Sequence, residues 1–258
     1  MAWIELDGVV NARDLGGLPV AGGRRTARNV LLRSDNLQDL SPADVARLVD
    51  DIGLTTVIDL RSTSEVESEG PAPLDRVAGV EHLHLSVLPE VGKRTDVVAE
   101  ALLLKRERDR SRYPDDAMCG HYLGYLEDRP ESVASAVRAI ADAPGAALVH
   151  CAAGKDRTGV VIALTLSAVG VPAEEVIADY AATDEKIEAI LRRLMSSHTY
   201  EEDLKKGTID RHRPRAETMK AFLEQLEERY GGATQWLADH GFGDDDLQRL
   251  RAKLVVAS

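Results

Sequence analysis

An α/β fold is predicted by three features of this 258-residue chain. Short apolar runs that read as buried strands, Thr55 to Leu60 and Ala146 to Val149, alternate with longer runs of helical spacing. Helix punctuation recurs, with Ser41-Pro42, Pro130 and Pro172 at starts and Gly53, Gly170 and Gly231-Gly232 at ends. Finally, no internal repeat and no linker rich in Gly, Ser or Pro divides the chain, so residues 1–258 are expected to form a single domain.

Composition narrows the function classes. Hydrophobic residues make up 44% of the chain and aromatic ones only 4%, ample for a core built of aliphatic side chains. Acidic residues outnumber basic ones, 44 to 32, for a formal charge of −12. No Lys/Arg block offsets that charge, which argues against a nucleic-acid partner. An anionic substrate would have to be attracted locally, not by the global field. Two cysteines give no disulfide framework, as in a reducing compartment or around a reactive thiol. The start, Met-Ala-Trp-Ile-Glu-Leu-Asp, lacks a secretory pattern, and the apolar run from Gly159 to Val171 is too short for a transmembrane segment. A soluble, cytoplasmic protein is expected.

In chain order, residues 1–36 are Gly-rich and strand-like, with Arg13-Asp14 read as a structural ion pair. Ser41 caps a helix whose buried face is Val45, Leu48, Val49 and Ile52. The Thr55–Leu60 strand ends in Asp59-Leu60-Arg61-Ser62. A further strand, His82 to Leu85, leads to Val87-Leu88-Pro89-Glu90. Lys93 to Arg112, an apolar patch followed by dense charge, reads as a helix with a solvated face, or else as a lid or basic rim. Tyr122, Tyr125 and Leu126 mark the next helix; Val133, Val137 and Ile140 mark the one that Pro130 opens. Cys119 reads as a buried small hydrophobe, the alternative being a protective disulfide with Cys151. Beyond residue 170, helices are expected at Pro172–Tyr180, Asp184–Met195 and Met219–Tyr230, and two more around Trp236 and Leu247–Leu254. Residues 196–214 read as a polar excursion over the surface.

The chemistry concentrates in His150-Cys151-Ala152-Ala153-Gly154-Lys155-Asp156-Arg157-Thr158-Gly159. A cysteine sits at a strand end, the chain turns tightly, and an arginine and a threonine open a helix. Backbone N–H groups in such a turn converge on one point, which the positive end of the helix dipole also faces. An anion is stabilised there. A thiol at that position, beside a cation, is a ready nucleophile. The five residues between Cys151 and Arg157 let the guanidinium fork reach back over the sulfur and take two phosphoryl oxygens. Gly154 permits close approach and positive φ. The Thr158 hydroxyl can stabilise the sulfur as a leaving group. Phosphoryl transfer through a cysteinyl-phosphate is the expected reaction.

His-Cys-x5-Arg-Thr-Gly resembles the signature loop of cysteine-dependent tyrosine and dual-specificity phosphatases. The Gly-Lys-Asp-Arg-Thr-Gly form is similar to an atypical bacterial branch that includes a secreted mycobacterial enzyme. Asn11-Ala-Arg-Asp-Leu-Gly-Gly17, Leu32-Arg-Ser-Asp35, Val57-Ile-Asp-Leu-Arg-Ser62, Ala178-Asp-Tyr180 and Tyr230-Gly-Gly232 also resemble that branch, and only residues 91–115 fit poorly. The resemblance implies a cysteine-dependent phosphatase fold: a central, mostly parallel sheet flanked by helices. Its helical C-terminal part would either form a lid or complete the core.

It also implies roles. Cys151 and Arg157 are the expected catalytic pair, with Ala152, Ala153, Gly154, Lys155, Asp156, Arg157 and Thr158 binding phosphate. His150, Asp59 and Arg61 are expected to support the loop, and Arg61 stays open between substrate contact and internal salt bridge. The acid that protonates the leaving group stays open among Asp156, which is favoured, Glu90 and Asp115; no Trp-Pro-Asp triplet is present. No cofactor or metal is required. The expected partners are phosphotyrosine proteins or peptides. Because Lys155 resembles the lysine in the loop of a phosphoinositide 3-phosphatase tumour suppressor, a multi-specific phosphatase acting also on phosphoserine, phosphothreonine and phosphoinositides is the alternative. An idle phospho-binding module is the non-enzymatic one. Relatives in the branch can be exported without a recognisable signal.

Overall fold

The computed structural model describes residues 1–89, 116–204 and 208–257. Glu90, Asp115 and the expected Lys93–Arg112 helix lie outside the described residues.

Six strands form the main sheet, in the order β1 (Ala2–Trp3), β2 (Arg13–Asp14), β5 (Leu31–Ser34), β8 (Ala146–His150), β6 (Leu54–Asp59) and β7 (Glu81–His84). β5, β8, β6 and β7 run parallel. β1 and β2 add on antiparallel at one edge, so the sheet is parallel at its centre and mixed overall. Every residue of β8 is buried, as parallel strands covered on both faces require. A second sheet pairs β3 (Pro19–Val20) with β4 (Arg24–Thr26) and β4 with β9 (Val255–Val256), which ties the C-terminal segment to the N-terminal hairpin.

Alternation along the strands builds two cores. Val57 and Leu148 face a smaller cluster with Leu37, Leu40, Leu48 and Leu74. Ile58 and Val149 face the larger one, shared by α3 (Ala117–Asp128), α4 (Pro130–Asp142), α5 (Asp156–Ala168), α6 (Ala173–Ala182), α10 (Ala216–Tyr230), α11 (Gly232–Asp239) and α12 (Asp244–Leu254). Val160 to Leu166 of α5 are buried on all sides, so this helix is apolar all round. As expected, Arg157 and Thr158 stand in its first turn, which begins at Asp156. Acidic Asp156 there suits the dipole.

The smaller core is covered by α1 (Pro42–Ala46), a following π turn over Arg47–Asp51 and the short turn Pro73–Arg76 that carries Leu74, while α2 (Thr63–Glu69) buries no residue. Ser41 caps α1 in a reciprocal capping box with Asp44, as the Ser-Pro start implies, although the α-helix ends one turn earlier than expected.

The C-terminal helices fall into two packing groups. Met219, Phe222, Trp236, Leu237, Leu250 and Leu254 belong to the core. Ile190 and Leu194 of α7 (Ile187–Ser196) instead pack with Ala152 of the Cys151 loop, against which Tyr200 and Leu204 also lie. The described residues of the polar surface excursion expected at 196–214 include two short helices. These are α8 (Glu201–Leu204) and α9 (Ile209–His212), and the end of α9 touches the loop.

Candidate active site

Strand order places the site. β8 lies between β5 and β6, and the loop from Cys151 to Lys155 leaves its carboxyl end, where open α/β sheets bind ligands. Gly154 sits at φ +65°, and a Cβ there would lie 2.2 Å from the Ser34 carbonyl oxygen, so glycine alone fits.

The loop is shaped by what holds its carbonyls. Asn11 Nδ2 donates to Ala153 O at 2.9 Å and to Gly154 O at 3.3 Å. Arg33 Nη2 donates to Gly154 O at 2.5 Å, and the Asn36 amide to Ala152 O at 2.9 Å. In a trans peptide the next N–H points opposite to the carbonyl. Carbonyls tied outward at 152, 153 and 154 therefore turn the N–H groups of 153, 154 and 155 inward, forming an anion cradle at the start of α5.

These anchors are themselves anchored. Asp179 of α6 accepts from Arg13 Nε at 2.7 Å and from Arg33 Nη1 at 2.6 Å, with both guanidiniums fully buried. Arg13 also donates to Asn11 Oδ1 at 2.5 Å and to Thr183 Oγ1 at 2.9 Å. Burial and the neighbouring Arg33 lower the Arg13 pKa to about 10, while the two arginines hold Asp179 below the usual carboxylate range against its own burial. The expected Arg13–Asp14 pair does not form: Asp14 accepts from the Gly16 amide and Arg13 turns to Asp179. Adjacent residues on a strand point to opposite faces and cannot pair side by side.

Cys151 is 2% exposed. Arg157 stands in the first turn of α5, where both of its Nη atoms are gripped by Glu65 of α2, at 2.6 and 2.9 Å. Glu65 was missed in the sequence. Its signal was Ser62-x-x-Glu65, a capping box, and Glu65 Oε2 does accept from the Ser62 amide at 2.8 Å while taking Arg157. The Thr158 hydroxyl is fully buried and, among the described residues, has no hydrogen-bond partner. Lys155 Nζ donates to His212 O at 2.6 Å and lies 3.6 Å from Asp156 Oδ2. Asp156 Oδ1 accepts from Tyr122 of α3 at 2.5 Å. Burial pushes the Asp156 carboxyl up, but Lys155 and the Tyr122 hydrogen bond more than offset it, and its pKa is lowered.

The supporting residues form a second chain behind the loop. Asp59 receives Arg61 through Nε at 2.9 Å and Nη2 at 2.5 Å, and Arg61 Nη1 donates to Gln38 at 3.0 Å. Arg61 thus makes an internal salt bridge with Asp59. His150 Nδ1 lies 3.3 Å from Cys151 O; a carbonyl only accepts, so Nδ1 carries the proton, with Nε2 3.7 Å from Asp59. Burial drops the His150 pKa to about 4, leaving the ring neutral near pH 7. Cys119 is a core residue whose thiol burial pushes up to about 12, and both cysteines are free.

A parallel strand ending in a cysteine, a loop whose carbonyls are tied outward and a clamped arginine opening a buried helix thus stand together at one end of the sheet. The chain belongs to the tyrosine phosphatase family, a family of hydrolases, whose model matches residues 4–256. It is 33% identical over 183 residues to a protein named as a tyrosine-protein phosphatase from Cupriavidus necator, covering 71% of this chain and 63% of that relative. It is 28% identical to the triple specificity protein phosphatase PtpB of Mycobacterium tuberculosis, covering 99% of this chain and all of that protein. A tyrosine-protein phosphatase of Nostoc commune matches at 28% over 89% of this chain and 75% of its own length. No helix among the described residues is long and apolar enough to cross a membrane.

Proposed function

We propose that residues 1–258 form one phosphatase domain that hydrolyses phosphotyrosine monoesters through a cysteinyl-phosphate at Cys151. The Cys151 sulfur attacks phosphorus and the P–O bond to the tyrosyl oxygen breaks, with a proton passing from Asp156 to that oxygen. Water then attacks phosphorus, the S–P bond breaks, and Asp156 takes the water's proton. Phosphate and the free sulfur result. Arg157 and the inward N–H groups of 153–155 bind the equatorial oxygens in both steps. Thr158, with its hydroxyl unpartnered, eases departure of the sulfur. Neutral His150 orients the loop and is not a base.

The single observation that supports this reading is the Glu65 clamp, which holds both Nη atoms of Arg157 in the electrostatic neighbourhood of Cys151. Asp156 is preferred as acid because it stands beside Lys155, inside the cradle. It is ionised in the free site; a dianionic phosphate arriving beside it raises its pKa and readies it to carry the proton. Glu90 is the second candidate.

Lys155 favours a broader substrate range as the second reading. Its ammonium lies next to the cradle, and the relative that matches over its whole length is named a triple specificity phosphatase. Metal-free turnover of a phosphotyrosine peptide, a phosphothreonine peptide and a phosphatidylinositol phosphate, with and without vanadate, tests both. Vanadate-sensitive release from the tyrosine peptide alone supports the narrow reading, and release from all three the broad one. No release from any, with vanadate still bound, contradicts both and makes the protein a binding module.

A further inference from the structure

Tyr180 belongs to a motif that the proposed mechanism does not use, and Tyr122 enters it only as a neighbour of Asp156. We infer that these two tyrosines form a hydrogen-bonded relay that fixes which oxygen of Asp156 carries the catalytic proton, with Tyr122 the positioning residue. The inference rests on the proposed proton-transfer role of Asp156.

Proton counting gives the direction. Tyr122 OH lies 2.5 Å from Asp156 Oδ1 and 2.7 Å from Tyr180 OH. The ionised carboxylate has no proton to give, so Tyr122 donates its single proton to Oδ1. Tyr122 then has none for Tyr180, and Tyr180 must donate to Tyr122. With Oδ1 held as an acceptor, a proton arriving on Asp156 goes to Oδ2, the oxygen 3.6 Å from Lys155 Nζ. Tyr122 is buried, and burial together with the Asp156 charge holds its own pKa well above the usual phenol value, so it stays a donor.

The relay is built into the fold rather than met by chance. The ring of Tyr122 is enclosed, packed edge-on to Tyr180 and Phe222 and stacked with Tyr125, each with centroids 6.1 Å apart. Gly159 lets Tyr180 pack closely on α5: a Cβ there would lie 3.0 Å from Tyr180 Cδ2. The closing glycine of the Cys151 motif thereby seats the far end of the relay. The same α6 turn carries Asp179, which anchors the opposite side of the loop.

Other groups also act on Asp156. Lys155 and Arg157 on its own segment and His121 of α3 favour its charged form; Tyr125 of α3, Tyr180 of α6 and His212 of α9 complete its electrostatic surroundings. Among these, Tyr122 alone donates a hydrogen bond to Asp156 Oδ1. Removing its hydroxyl deletes a bond to the charged form, so the Asp156 pKa should rise by about one unit.

The test reads Asp156 directly, independently of turnover. Carboxyl carbon resonances of the full chain are titrated by NMR, with the Asp156 signal assigned by its loss in Asp156→Asn. Tyr122→Phe should move the Asp156 midpoint up by about one pH unit, and Tyr180→Phe by less in the same direction. In turnover, the limb of the kcat–pH profile that Asp156→Asn abolishes should move by the same amount, with KM and vanadate affinity within about two-fold of wild type. An unmoved midpoint in folded Tyr122→Phe overturns the relay. A moved midpoint with no Asp156-dependent limb sustains the hydrogen bond but removes its catalytic use, which overturns positioning while leaving the phosphatase reading intact. If Tyr122→Phe does not fold, Tyr180→Phe decides by the direction of its shift.

Discussion

Glu65 and Arg157, 92 residues apart in sequence, meet in a two-pronged ion pair in which each carboxylate oxygen takes one guanidinium nitrogen. With both groups largely buried, the Glu65 carboxyl is held below its usual range, chiefly by Arg157 against its own burial. The arginine is therefore aimed before any substrate arrives, which removes an ordering cost from binding.

Glu65→Gln should keep the Ser62 cap in part but lose the charge that aims Arg157. The expected result is a fall in kcat/KM of about 10²-fold, with weakened vanadate affinity. Steady-state kinetics and vanadate inhibition of the folded variant check it; near wild-type values would show that the clamp does not aim Arg157.

Asp179→Asn should act on stability first. It leaves two fully buried guanidiniums without their counter-charge, a loss of about 3–5 kcal/mol. Denaturant unfolding measures this. Because Arg33 and Asn11 carry the loop carbonyls, turnover should fall even in the fraction that remains folded.

His150 predicts a pH dependence. Its folded pKa of about 4 lies below the ordinary 6.5, so between those values the unfolded chain binds a proton that the native protein refuses. Stability is therefore fully present above pH 6.5 and falls as pH drops toward 4, by up to about 3 kcal/mol. Thermal unfolding across this window should show the slope in the wild type and a smaller one in His150→Gln. An unchanged slope would contradict a buried neutral ring.

Asp156→Asn and Glu90→Gln separate the two acid candidates. The account expects Asp156→Asn to lower kcat by about 10²–10⁴-fold and to remove one limb of the pH profile, and Glu90→Gln to leave the profile's shape unchanged. The opposite pattern would transfer the role to Glu90.

What was legible in the sequence was what is contiguous. The ten residues from His150 to Gly159 carry strand end, cradle and helix start in one run, so the loop, the α/β class and most helix boundaries could be read from spacing. The residues that hold the loop come from elsewhere: Asn11 from the segment before β2, Arg13 from β2, Arg33 from β5, Glu65 from α2 and Asp179 from α6. Each was ambiguous locally. Glu65 satisfied a capping pattern, which concealed its second partner, and Arg13 stood next to an acid with which it could not pair. Tyr122 looked like one more apolar position on a helix face, because periodicity sees a ring and not its hydroxyl. In the polar excursion expected at 196–214, Tyr200 and Leu204 lie against Ala152 and the His212 carbonyl takes the Lys155 ammonium, contacts that polarity alone does not announce.

The central claim is covalent chemistry at Cys151, and rapid-quench trapping tests it most directly. The full chain is mixed with a 32P-labelled phosphotyrosine peptide, quenched in denaturant at alkaline pH and mapped by mass spectrometry. A transient phosphoryl group on Cys151 is predicted, stable in alkali and labile in mild acid as an S-phosphocysteine, and absent in Cys151→Ser. Turnover of the peptide that persists in Cys151→Ser, or label found on any other residue, would contradict it.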